Sequence, residues 1–170
     1  MAPLSYEEFK ALAAASKRAF HLEQQDTYNV EAEDEPFDRW LRGEPDDYAW
    51  HQDWLSFLRQ VVSAGVQVQR VRLVSLPYTD YSRWGLDIAR INAEAGEDMR
   101  YLPRHLTEGI QLPDEDYWLL DDDTLILSVF SADGRTGGFA REASPELLRQ
   151  CLTARDQTWD RAIPYAEYIS

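Results

Sequence analysis

The sequence predicts an α/β domain in which a mixed sheet of about four to six strands carries packed helices. Three observations lead there. Val66 to Leu76 alternates valine with other residues, which is strand chemistry. Tyr117–Leu120, Asp121–Asp123 and Thr124–Phe130 read as strand, turn and strand. Apolar residues at helical spacing precede, separate and follow these segments.

Ser5 with Glu8 forms a capping box, and Phe9, Leu12, Ala13 and Phe20 recur near helical spacing, so the first helix is expected over residues 5–20. The polar segment His21 to Val30 has room for a short strand. Glu31 to Glu35 before Pro36 reads as a loop into a short helix with Phe37, Trp40 and Leu41, closed by Gly43. Asp46 or Asp47 caps a further helix whose stripe is Trp50, Trp54, Phe57, Leu58, Val61 and Val62, ending at Gly65.

After the valine strand stops at Pro77, Asp80 is the expected cap of a helix that puts Trp84, Ile88, Ile91 and Ala95 on one face. Arg83 with Asp87 and Arg90 with Glu94 are ion pairs at spacing four on the other. Gly96 ends that helix, and a short strand over Met99–Leu102 stops at Pro103. Beyond the turn at Ala132, Asp133 and Gly134, a third short strand is expected near Gly138–Arg141. Ser144 and Pro145 then open a last helix, with Leu148, Cys151, Leu152, Arg155, Trp159 and Ala162 on one side and Pro164 as its stop. With 170 residues, 44% of them hydrophobic, one core suffices. The expectation is a single domain over 1–170, with a helical subregion at about 1–65 and an α/β subregion at about 66–170.

Seventeen basic against thirty-one acidic residues give a net charge of −14, which opposes attraction to phosphate backbones and anionic lipid, so neither nucleic acid nor membrane is an expected direct partner. One cysteine permits no internal disulfide, and the first residues lack a signal-peptide pattern; a cytoplasmic protein is expected. His21, His51 and His105 are isolated, the aspartate runs lack the pattern of a calcium loop, and no phosphate-binding glycine motif is present. No metal or cofactor is expected. Cys151, on an apolar helix face, reads as an inert buried thiol.

The chemistry that stands out is on the valine strand. Period two puts Arg70 and Arg72 on the same face as Val66, Val68, Val74 and Leu76, so each guanidinium needs a carboxylate or another anion. Asp87, Glu97 and Asp98 are candidate carboxylates. Arg70, Arg72, Arg83, Arg100 and Arg104 lie close together in an acidic chain, and with Tyr81 and Glu97 they form the candidate lining of an anion-recognition cleft. The competing reading is an internal salt-bridge network.

Segments RVRLVSLPYTDYSRW (70–84), NAEAGEDMRYLPR (92–104), LPDEDYWLLDDD (112–123), VFSADGR (129–135) and ARDQTWDRAIPYAEY (154–168) resemble a family of small actinobacterial proteins of unknown function, often encoded beside helix-turn-helix regulators. The resemblance implies a possible regulatory protein partner. A looser likeness, from the strand near Trp118 to the helix ending in Trp159, is to the C-terminal half of phospholipase-D-like domains. The catalytic H-x-K motif of those enzymes is missing, the only lysines being Lys10 and Lys17. Function is therefore expected to be that of a non-catalytic binding or regulatory module recognising an anionic small molecule or a partner's carboxylate. The alternatives are a cofactor-independent enzyme, with Glu97 or Asp98 as base beside Arg100 and Arg104, and a purely protein-interaction role in which the acidic surface steers a basic partner.

Overall fold

The computed structural model describes residues 1–170, the side chain of Thr136 excepted. In chain order the elements are β1 (Ala2–Leu4), α1 (Tyr6–Ala15), β2 (Arg18–Glu23), α2 (Glu31–Leu41), α3 (Gln52–Ser63), β3 (Gln67–Val74), α4 (Asp80–Glu94) and β4 (Asp98–Pro103). They continue with β5 (Tyr117–Leu120), β6 (Thr124–Phe130), β7 (Thr136–Glu142), α5 (Pro145–Arg161), β8 (Ile163–Pro164) and α6 (Tyr165–Tyr168). The fold is α/β: one mixed sheet in the order β1-β7-β6-β5-β2-β3-β4-β8. Strands β2, β3 and β4 are parallel, and the remaining neighbours are antiparallel.

Eight strands exceed the expected four to six because β1 and β8 are only three and two residues long and carry no periodicity to read. Both are edge strands, and both contain a proline (Pro3, Pro164), which cannot offer a backbone N–H to another chain.

Helices cover both faces of the sheet. On one face Ala19, Val68, Trp118 and Ile126 pack with Phe9 of α1, Leu55 and Leu58 of α3 and Ile91 of α4. On the other, Phe20, Leu22, Val71, Leu73 and Leu119 pack against α5 through Cys151. The Cys151 thiol is fully buried, and desolvation pushes its pKa up to about 12.

The first helix is shorter than its periodicity suggests. α1 stops at Ala15, Ser16 turns extended, and the Asp121 carboxylate accepts the backbone N–H groups of Lys17 and Arg18 at 2.9 and 3.0 Å, which starts β2. Phe20 therefore belongs to a strand. Since β2 lies between β5 and β3 and is covered on both faces, the first 65 residues supply a central strand as well as helices. α2 begins five residues earlier than expected, with Pro36 inside it; Glu31, Glu33 and Asp34 in its first turn suit the positive end of the helix dipole. Thr79 rather than Asp80 caps α4. Arg83 pairs with Asp80 at 3.2 Å rather than with Asp87, while Arg90 and Glu94 meet at 3.0 Å as expected.

Gly96 shows how closely α3 approaches the end of α4. Its φ is +110°, and a Cβ there would fall 2.8 Å from Val62 Cγ1, so only glycine fits.

Candidate functional site

Register aligns two rows of side chains on the face that α3 and α4 cover. Trp118, His21, Arg70 and Met99 are successive partners across β5, β2, β3 and β4, and Glu23, Arg72 and Tyr101 are partners one pleat further on. The second row lies near the carboxyl ends of the three parallel strands, where open α/β sheets leave a crevice. A cavity of about 200 Å³ separates these rows from the helices. Its floor is Glu23, Arg70, Arg72, Met99 and Tyr101. Trp54 of α3 and Trp84, Gly85 and Ile88 of α4 form the facing wall, and Glu33 of α2 closes one side.

Glu23 is shared between the two arginines. Its Oε1 accepts from Arg70 Nη1, and its Oε2 accepts from Arg72 Nη1 at 2.8 Å. Burial alone would raise the Glu23 carboxyl, but the two guanidinium groups hold it down at about 2. Arg70 also donates through Nε to Glu97 Oε1 at 2.6 Å. Burial raises the pKa of Glu97, whose side chain has no exposed surface, and Arg70 opposes that rise. Arg70 is thus engaged on two sides.

Arg72 is not. It is 6% exposed, and its Nε and Nη2 find no hydrogen-bond partner among the described residues. These two nitrogens carry the parallel N–H pair that meets a carboxylate or phosphate in bidentate fashion. The hydroxyl of Tyr101, its strand neighbour and fully buried, is also without a partner among the described residues. The Arg72 guanidinium lies 5.4 Å from the Tyr28 ring centre and 5.5 Å from that of Tyr81, contacts that hold its plane. On α4, a Cβ on Gly85 would come within 3.9 Å of Arg72 Nε and Cζ, ordinary van der Waals contact.

Glu33 accepts a hydrogen bond from the Tyr81 hydroxyl at 2.6 Å, and burial raises its pKa. No cation lies within ion-pair distance of it among the described residues. At the opposite end His51 Nε2 and Asn92 Oδ1 are 2.7 Å apart, and burial keeps the imidazole pKa low. His21 stacks on Trp118 at 4.2 Å; burial first, then Arg70, lower its pKa to about 3, so it is neutral. Behind the tyrosines, Asp116 takes hydrogen bonds from Tyr28 Oη and from the backbone N–H of Gln24, fixing the segment between β2 and α2.

Of the residues expected to line a cleft, Arg70, Arg72 and Tyr81 come together here, and Glu97 stands behind Arg70 without reaching the cavity. Three do not join them. Arg83 is exposed on the outer side of α4 with Asp80. Arg100 stacks 3.7 Å over Trp159 of α5, because strand alternation sends it to the opposite sheet face from Met99 and Tyr101. Arg104, beyond the end of β4, binds Ser75 Oγ at 3.1 Å and the Gln24 carbonyl. Of the candidate carboxylates, Asp87 instead accepts from Trp40 Nε1 at 3.0 Å, and Asp98 lies 3.9 Å from Arg100.

Sequence reasoning missed Glu23, Glu33 and Gly85. An unpaired glycine inside the helical pattern of α4 was the one available signal. Among the described residues no group of three or more metal-ligating side chains is gathered, and no helix is long and apolar enough to cross a membrane.

No curated protein matches the sequence. The model of a family described as a domain of unknown function, DUF6879, matches residues 7–170, and the chain belongs to that family.

Proposed function

We propose that the protein is a non-catalytic binding module whose cavity takes a small carboxylate. The single observation that carries this reading is the Nε–Nη2 edge of Arg72, a residue of the cavity lining, which is buried and has no protein partner among the described residues. A polar group so placed costs free energy until something accepts its hydrogen bonds, and an anion recovers that cost better than a neutral group. Size guides the choice of ligand: an apolar cavity of about 150 Å³ holds one benzene ring, so about 200 Å³ suits a molecule of that order. Trp54, Trp84 and Ile88 supply the apolar wall and the tyrosines the orientation, the division of labour typical of small-molecule sites.

The family resemblance to proteins encoded beside helix-turn-helix regulators supports a role in which occupancy of this cavity is passed to a DNA-binding partner. The test of the binding step is thermal unfolding of the full chain with acetate, benzoate, branched aliphatic acids and inorganic phosphate, repeated with Arg72→Met. A carboxylate at about one hundred times its dissociation constant should add about 2.7 kcal/mol to the stability of the parent and leave the variant unchanged. The reading is overturned if no acid shifts the parent, or if parent and variant shift alike.

A further inference from the structure

The Arg72 edge without a partner is only half of what the cavity lining offers. Glu33 stands on the wall of the same cavity and, among the described residues, has one hydroxyl as its hydrogen-bond partner and no cation within ion-pair distance. Tyr81 touches both groups: its hydroxyl donates to Glu33, and its ring lies 5.5 Å from the Arg72 guanidinium. One cavity therefore presents an unpaired carboxylate and an unpaired cationic edge on either side of a single tyrosine.

Charge balance argues against a simple anion as the best occupant. Arg70 and Arg72 are already paired with Glu23 and Glu97, and Glu33 lines the same cavity, so a lone carboxylate would add negative charge where carboxylates outnumber guanidinium groups. A molecule bearing both a carboxylate and an ammonium adds none, and it completes both unpaired groups at once. Aromatic faces at Trp54, Tyr81 and Trp84 suit an ammonium and an apolar side chain equally.

We propose that the ligand is a free amino acid with an apolar side chain, its carboxylate on Arg72 Nε and Nη2 with the Tyr101 hydroxyl, and its ammonium on Glu33. This rests on the carboxylate-binding reading above and narrows it. The apolar side chain extends toward Ile88 and Met99, along a wall that runs from Gly85 to Asn92, about 10 Å at the rise of a helix.

Matched probes separate the two ideas. L-Leucine, L-methionine and L-phenylalanine would be titrated calorimetrically into the full chain, alongside 4-methylpentanoate and 3-phenylpropanoate, which lack the ammonium, and 2-phenylethylamine, which lacks the carboxylate. At least one amino acid should bind tenfold or more tighter than its des-amino counterpart. Glu33→Gln should erase that preference while des-amino acids bind as before, and Glu33→Asp, which keeps the charge, should retain part of it. Des-amino acids that bind as tightly as the amino acids overturn the zwitterion and leave carboxylate binding standing, as does a preference that survives in Glu33→Gln. If none of the carboxylates binds, both readings fall.

Discussion

Glu23 Oε2 accepts from Arg72 Nη1 at 2.8 Å, which anchors one side of that guanidinium and leaves the Nε–Nη2 edge without a partner among the described residues. Because the same carboxylate also holds Arg70, it is not orphaned when Arg72 is removed. Arg72→Met should therefore fold, with a loss below the roughly 3–5 kcal/mol that follows when a buried partner is stranded, the methionine keeping much of the stem's packing. Urea midpoints of the two proteins measure this. A loss at or above that range would make Arg72 a structural cation first and a ligand-binding one second.

Gly85 lies inside α4 beside Arg72, although an added Cβ would meet nothing closer than 3.9 Å. Glycine there costs the helix about 0.5–1 kcal/mol relative to alanine, and no tight contact explains it. Gly85→Ala should raise the unfolding midpoint and, by placing a methyl beside the Arg72 edge, weaken carboxylate binding by about tenfold. A variant that gains stability and binds as well as the parent would show that this side of the cavity is not where the ligand's anionic group rests.

Which parts of this arrangement are legible in the sequence follows from how each strand is covered. β3 exposes its pattern because period two sets two arginines among valines, so the pairing of Arg70 with Glu97 is within reach of sequence reasoning. Glu23 is not, since β2 is buried on both faces and shows no alternation, while Phe20 continues the helical spacing of α1 by coincidence. Closeness along the chain misleads for Arg83, Arg100 and Arg104: a helix turn, a strand pleat and a chain end send each in a different direction. Glu33 becomes part of the cavity only through the packing of α2 beside α4, where Phe37 lies 5.4 Å from Trp84, a contact that no local pattern announces.

Asp116 makes stability depend on pH in a defined direction. Burial lifts its carboxyl from 3.8 to about 6, against the opposing hydrogen bond from Tyr28. A folded-state pKa above the unfolded one means that the folded protein holds the proton more tightly, so the contribution is full below about pH 3.8 and is lost as pH rises through about 6. Asp116→Asn keeps an acceptor for the Gln24 N–H and cannot ionise. Its stability relative to the parent should rise by about 2–3 kcal/mol between pH 4 and pH 7, one unit of pKa being worth about 1.4 kcal/mol. Parallel pH profiles of parent and variant would refute the assignment.

Arg70 and Glu97 should be strongly coupled, more so than any pair on the surface. The Glu97 side chain has no exposed area, its Oε1 is 2.6 Å from Arg70 Nε, and its Oε2 has no other partner among the described residues. Arg70→Met strands that carboxylate in the core beside α4 and also leaves Glu23 with Arg72 alone, so a loss of about 3–5 kcal/mol is expected. Burial already raises the Glu97 pKa, and without the guanidinium that rise is unopposed, so the group should take up a proton more readily, which limits the loss and makes it grow as pH rises. Glu97→Gln in the Arg70→Met background removes the stranded charge and should recover part of the stability, whereas Glu97→Gln alone should destabilise the parent by leaving Arg70 with Glu23 only. The interaction term from the four proteins should fall in the range of about 0.5–3 kcal/mol found for residues in contact, at its upper end. Additive effects within about 0.5 kcal/mol would mean that Glu97 is held by its own backbone turn and not by the arginine.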